Sequence, residues 1–308
     1  MTLPAKLRLG VRTGRLAAAL AHEVKEALEQ AHPHMAVEIV KLASAGDHVH
    51  DGPQRGAAFT RELDQALAGD RIDAALHDLP DLPLVRPDAL VIVAVPRRRH
   101  PFDVLLTADG RILDELEPGE RIAASSAARM AQMLGYRDDL KVMRALGSLD
   151  THWQQLADGQ FEGLVMAATD AERLGWHDRV SEIFTTEVCI PVPGQGALAL
   201  EALSSRKDVI AALKGLDDEA SRHAVTAERA WLNELGGEDD LPAGALANVV
   251  GGRLVIEAVV VSRDGMEVVR EEIEGPATSA EALGAKLAVR MLERGAQDIL
   301  EATAGGSG

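Results

Sequence analysis

From Lys6 to Ala168 the hydrophobic period switches back and forth between that of a strand and that of a helix, which restricts the chain to α/β architectures. Lys6–Val11 is a short alternating apolar segment. Arg15–His32 follows, with Leu16, Leu20, Val24 and Leu28 recurring on one helical face. Met35–Leu42 reads as a strand, Phe59–Ala68 as a helix, and Ile72–His77 and Leu90–Val95 as buried strands. From about Asp103 the theme repeats, with strands at Arg121–Ala124, Lys141–Ala145 and Gly163–Ala168 and helices from Ser126 and Thr151. Such alternation predicts largely parallel sheets covered by helices. The run Pro191-Val192-Pro193-Gly194-Gln195-Gly196 breaks the pattern. Beyond Ala220 the period changes: a helix to Leu235, strands at Leu254–Val261 and Met266–Glu274 with a Gly251-Gly252 turn, and a helix over Ser279–Glu293. That tail predicts antiparallel hairpins with helices on one face.

At 308 residues the chain exceeds what one hydrophobic core usually serves. A net charge of −17 argues against nucleic acid or an anionic membrane as partner, because both demand clustered Lys and Arg. No apolar run reaches spanning length and no charged-then-apolar leader opens the chain, so a cytoplasmic protein is expected. The one cysteine, Cys189, lies in the apolar Val188-Cys189-Ile190-Pro191 and reads as a buried, inert thiol. His48 and His50, flanked by Asp47 and Asp51, fit no standard zinc spacing; they read as an acidic loop, and no metal is expected. Arg97-Arg98-Arg99-His100 is the one basic cluster, and the terminal Ala304-Gly305-Gly306-Ser307-Gly308 reads as a flexible tail.

Six motifs in order resemble the hydroxymethylbilane synthase (porphobilinogen deaminase) family. Arg8-Leu9-Gly10-Val11-Arg12-Thr13-Gly14-Arg15-Leu16-Ala17 resembles its opening strand and turn, and Phe59-Thr60-Arg61-Glu62-Leu63 its Phe-x-Lys-Glu-Leu helix. Asp73-Ala74-Ala75-Leu76-His77-Asp78-Leu79-Pro80-Asp81-Leu82-Pro83 is similar to Asp-Ile-Ala-Val-His-Ser-x-Lys-Asp-x-Pro. Ser125-Ser126-Ala127-Ala128-Arg129 parallels Ser-Ser-x-Arg-Arg, and Pro193-Gly194-Gln195-Gly196-Ala197 and Thr226-Ala227-Glu228-Arg229-Ala230 complete the series. The resemblance implies three α/β domains: two lobes like those of periplasmic binding proteins, and a C-terminal α/β domain with a small antiparallel sheet. The boundaries it implies are 1–97 with 197–217, then 98–196, then 218–303, with 304–308 as tail.

The family reaction condenses porphobilinogen units and releases ammonia, on a dipyrromethane primer held by a cysteine in Leu-Glu-Gly-Gly-Cys-x-x-Pro-x-Gly. Here that loop reads Leu235-Gly236-Gly237-Glu238-Asp239-Asp240-Leu241-Pro242-Ala243-Gly244, placing Asp239 at the cysteine position. A carboxylate does not form the thioether, so no cofactor is expected. By resemblance Asp81 is the catalytic carboxylate, and Arg12, Ser125, Ser126, Arg129 and Arg173 contact substrate or cofactor. From residue chemistry alone, Asp81 before Leu82-Pro83 also suits a turn, and Ser125-Ser126 suits a helix N-cap. Four of the family's cationic positions are replaced, by Pro80, Ala128, Leu146 and His152. Each lost charged hydrogen bond to a carboxylate removes roughly 1.5–3 kcal/mol, and neutral His at pH 7 restores little.

Three functions are consistent with these residues. One is a degenerate family member in tetrapyrrole metabolism, unable to attach dipyrromethane and acting as a binding or partner protein. Another is an active condensing transferase with an altered primer arrangement using Asp81. The last is a fold reused for an unrelated small acidic or uncharged ligand, the interdomain cleft implied by the resemblance having room for an acidic one.

Overall fold

The computed structural model describes residues 3–43, 57–237 and 240–305, with side chains described from 60 onward in the second segment and to 303 in the third. Contacts divide the chain into two compact units. Gln54–Arg99 and Gly196–Arg222 join the N-terminal segment in one unit, and His100–Gln195 and His223–Gly308 form the body of the other.

The first unit is built on a five-stranded sheet, in the order β2 (Ala36–Leu42), β1 (Lys6–Arg12), β3 (Ala74–Asp78), β10 (Leu198–Leu203), β4 (Leu90–Ala94). Helices α1 (Arg15–Ala31), α2 (Ala57–Ala68) and α6 (Lys207–Leu213) complete it. The α1 stripe Leu20, Val24 and Leu28 is buried against Leu7, Leu9 and Val37 of the sheet, as its spacing predicts. β1 runs parallel to β2 and β3, whereas β10 is antiparallel to both its neighbours. The expected largely parallel sheet is therefore interrupted by the strand that re-enters after the Pro191–Gly196 segment. A strand arriving without a crossover helix is free to run the other way.

In the second unit the same pattern recurs. Its larger sheet has the order β7 (Lys141–Arg144), β6 (Arg121–Ala124), β8 (Gly163–Ala167), β5 (Asp103–Thr107), β9 (Val180–Ile183). β5, the first strand after the chain enters this unit, is the reversed one. Helices α3 (Ala127–Tyr136), α4 (Leu149–Ala157) and α5 (Ala168–Arg173) accompany it. The remaining sheet is the antiparallel meander β11 (Ala243–Val250), β12 (Arg253–Val261), β13 (Val268–Pro276), covered on one face by α7 (Glu219–Glu234), α8 (Ala280–Met291) and α9 (Gln297–Gly305). The Gly251-Gly252 turn that joins β11 to β12 has positive φ at both residues, as a tight hairpin demands. Two α/β lobes and a small antiparallel sheet with its helices are thus the fold class expected from the sequence.

A buried polar network ties β10 into the first unit. Glu201 is fully buried, and its carboxylate takes two hydrogen bonds from Arg86, Nε at 3.0 Å and Nη2 at 2.8 Å. Arg86 also reaches Asp64 at 2.5 Å, and His77 Nε2 lies 3.1 Å from Glu201. Burial pushes the Glu201 pKa up, but His77 and Arg86 outweigh it and hold the carboxyl at about 2. Its contribution to stability is complete above the ordinary glutamate range and disappears as pH falls toward 2. Glu201→Gln removes one of the two carboxylates that answer the buried Arg86, with Asp64 remaining, and should destabilise the protein by about 2–3 kcal/mol at pH 7. Urea unfolding of the variant at pH 7 and at pH 3 checks this, and the gap between variant and parent should narrow at the lower pH.

Candidate functional site

In the first unit, two residues distant in sequence meet at one end of the sheet. β1 ends at Arg12, and its parallel neighbour β3 continues into a one-turn 3₁₀ helix, Leu79–Asp81. Pro80 suits that first turn, where its missing N–H leaves no hydrogen bond unmade. Arg12 Nη1 lies 3.2 Å from Asp81 Oδ2, and both side chains are about a quarter exposed. Carboxyl ends of parallel strands are where open α/β sheets place their ligands. A partly exposed carboxylate beside a guanidinium can accept a hydrogen bond from a pyrrole N–H and stabilise positive charge there. His77 does not join Asp81; it is committed to the Glu201 network.

The second unit positions the Ser-Ser motif. Ser126 caps α3, its hydroxyl accepting from Arg129 N at 3.3 Å. Arg129 is 6% exposed, and its guanidinium is turned inward. Nε donates to Asp103 Oδ1 at 2.9 Å, Nη1 to Ser125 Oγ at 3.0 Å and Nη2 to Gln195 Oε1 at 2.8 Å. Burial opposes its charge, and the fully buried Asp103 outweighs burial, so its pKa is raised. Ala128 beside it is buried, while Arg173 ends α5 half-buried.

Two of the substituted positions behave differently. Leu146 is 46% exposed just after β7, an apolar surface where the resemblance has a guanidinium. His152 is buried on α4, and desolvation lowers its pKa. It is therefore uncharged at neutral pH and does not replace an arginine.

Asp239, the residue at the cysteine position, lies outside the described residues, as do Glu238 and the His48/His50 segment with Arg55. The next residue is Asp240. Its φ is +63°, and its carboxylate accepts from Ala127 N, at the head of α3, at 2.7 Å. The other oxygen accepts from Arg144 Nη2 at 2.7 Å. The loop is thus fastened by a carboxylate to a helix N-terminus and a strand-end arginine, both of which favour negative charge. Sequence reading passes over this pair, because Asp240 sits in an acidic run that resembles a solvated turn. Its one local signal is Gly236-Gly237, which prepares a backbone with positive φ. The only thiol in the chain, Cys189, is fully buried and donates to Asp103 Oδ2 at 3.5 Å. Burial, aided by Asp103 and opposed by Arg129, pushes its pKa well up, so it stays protonated.

Comparison with known proteins decides the family. Residues 7–211 match the domain described as "Porphobilinogen deaminase, dipyromethane cofactor binding domain", and residues 223–293 match "Porphobilinogen deaminase, C-terminal domain". The chain belongs to the porphobilinogen deaminase family. The porphobilinogen deaminase of Desulforudis audaxviator (strain MP104C) is 40% identical over 297 residues, 95% of this chain and 96% of that protein. That of Roseiflexus sp. (strain RS-1) is 36% identical over 298 residues, 96% and 98% of the two chains. Among solved structures, the methionine-binding protein MetQ aligns with a TM-score of 0.44 at 15% identity, over 69% of this chain and 90% of its own. The substrate-binding domain of a putative molybdenum ABC transporter from Clostridium difficile aligns with a TM-score of 0.43 at 15% identity, over 68% and 89%.

The family acts in tetrapyrrole biosynthesis, and its dipyrromethane-binding domain is the part matched over 7–211. The expectation of no cofactor is therefore corrected. It rested on position 239 alone, which lies outside that domain. A missing thiol bears on how the group is attached, whereas binding of a polyanion depends on donors spread over the lobes.

The Asp240 clasp yields a direct test. Asp240→Asn removes the charge from both contacts and should cost about 1–3 kcal/mol. Arg144→Met should cost less when Asp240 is already Asn than when it is not. A double-mutant cycle from urea unfolding measures that coupling.

Proposed function

We propose that this family member holds a dipyrromethane-class polypyrrole by ion pairs rather than by a thioether, and serves tetrapyrrole metabolism as a binding or partner protein. The observation that carries the reading is the state of the sole thiol: fully buried, protonated and hydrogen-bonded to Asp103. Such a sulfur neither reaches nor attacks a ligand. The donors present suit carboxylate recognition. Arg12 is partly exposed beside Asp81, and Arg173 stands half-buried at the end of α5. Ser125 and Ser126 flank the start of α3, and Arg129 acts through the turn it holds. The domain matched over 7–211 is described as the one that binds the dipyrromethane cofactor. Here Asp81 would meet the pyrrole N–H groups, and the arginines the acetate and propionate carboxylates.

The exposed Leu146 and the buried, uncharged His152 support reduced turnover, because neither replaces a cation that would hold a growing polyanion. The second reading, an active condensing transferase with an altered primer arrangement, draws its support from the Arg12–Asp81 pair at the strand ends. We further propose the domain limits 1–97 with 197–217, 98–196 and 218–303, and a cytoplasmic location. No helix among the described residues is long and apolar enough to cross a membrane.

Protein purified from a host that makes dipyrromethane should carry a pyrrolic chromophore under native conditions and lose it in denaturant, returning to the apo mass. A mass increment that survives denaturation would overturn ion-pair binding. With porphobilinogen, hydroxymethylbilane release is expected to be undetectable. Steady release abolished by Asp81→Ala would establish the transferase reading instead.

A further inference from the structure

One cavity in the second unit stands apart from every residue discussed for tetrapyrrole chemistry. Its volume is about 430 Å³, within the range of small-molecule sites. The outer face of the antiparallel sheet forms its floor. Leu246 of β11 pairs with Glu257 of β12, and Glu257 with Glu272 of β13, so these three make one row across the sheet. Asn248 and Val255, paired with each other, make the next row. The wall is Phe102 and the segment Ile183–Thr186 that ends β9.

The chemistry of this floor is unbalanced. Glu257 and Glu272 face each other directly across two strands, a pairing that is unfavourable for like charges. The neighbouring acids are answered within the protein: Glu257 by Arg270, Glu274 by Arg253, and Glu271 by Arg290 and Arg294. Among the described residues, no ion pair reaches the Glu272 side chain, although it lines the cavity. Opposite it lie aromatic and branched apolar groups: Phe102 half-buried, Ile183 54% exposed, and Leu246 and Val255 in the floor. A site with one unanswered carboxylate and an apolar wall favours a cation that carries a hydrophobic body.

We propose that this cavity binds a small primary ammonium ion with an aromatic or branched aliphatic body. The ammonium lies against Glu272, with Glu257 adding field and Asn248 and Thr186 offering carbonyl and hydroxyl acceptors. The body rests on Phe102, Ile183 and Val255. The site is independent of the polypyrrole reading, since it shares no residue with Arg12, Asp81, Arg173 or the Ser125-Ser126 turn.

Titration calorimetry of the full chain with benzylammonium, with benzoate and benzyl alcohol alongside, tests the site. Saturable one-to-one binding of benzylammonium is expected, with benzoate showing none and benzyl alcohol binding at least roughly tenfold more weakly. Glu272→Gln, on an exposed strand position that any polar residue fits, should weaken benzylammonium at least roughly tenfold. Asn248→Trp, which puts a bulky ring into the cavity from the row beside Glu272, should abolish binding, and circular dichroism confirms that both variants fold. Absence of saturable binding overturns the proposal, as does equal binding of benzoate or undiminished binding in both variants.

Discussion

The second unit depends on a single buried ion pair. Arg129 and Asp103 lie away from water, where an unpaired charge of either sign would be prohibitive. Their pairing brings the first turn of α3 and the start of β5 into register. The remaining guanidinium donors then draw in Ser125 and Gln195. Gln195 Nε2 in turn donates to Pro101 O at 2.8 Å and to Asp103 at 3.0 Å, which fixes the segment where the chain leaves this unit. The same Asp103 receives the Cys189 thiol, so the inertness of the sulfur follows from the way the lobe is held together.

A second fully buried carboxylate does related work nearby. Glu228 of α7 accepts from Gly194 N at 2.6 Å and from Ala247 N at 2.8 Å. Two backbone donors, one in the Pro-Gly segment and one in β11, are satisfied by one side chain, which removes two otherwise unpaired buried amides. The polypeptide near 194 is therefore held on both sides by buried acids, Asp103 through Gln195 and Glu228 directly.

The elements were largely legible from the chain, because helical and strand periods leave unmistakable stripes such as Leu20, Val24 and Leu28. The reversed strands β5 and β10 were not, since strand direction depends on which connection precedes it and leaves no mark on side-chain alternation. At the site, Arg12 and Asp81 were marked one by one through the family resemblance, and their approach at 3.2 Å appears only in the structure. The inward turn of Arg129 and the burial of His152 were not legible, as an arginine or histidine in a motif looks the same whether it faces ligand or core. The Asp240–Arg144 clasp was hidden for a different reason: its partners are 96 residues apart, Asp240 fills an unspecified position of its loop motif, and Arg144 stands in none.

The last strand of the antiparallel sheet carries one further consequence. β13 lies at the edge and pairs only with β12 among the described residues. Its sequence alternates Arg270, Glu272 and Glu274 on one face and closes with Pro276, which has no amide hydrogen to offer. A free edge so charged repels the approach of a second like strand, and the proline caps its end. The meander therefore stops at three strands by the make-up of its border, which guards the protein against edge-to-edge aggregation while the sheet's face away from α7, α8 and α9 packs Leu246, Val259 and Val261 against Ala131 and Ile190.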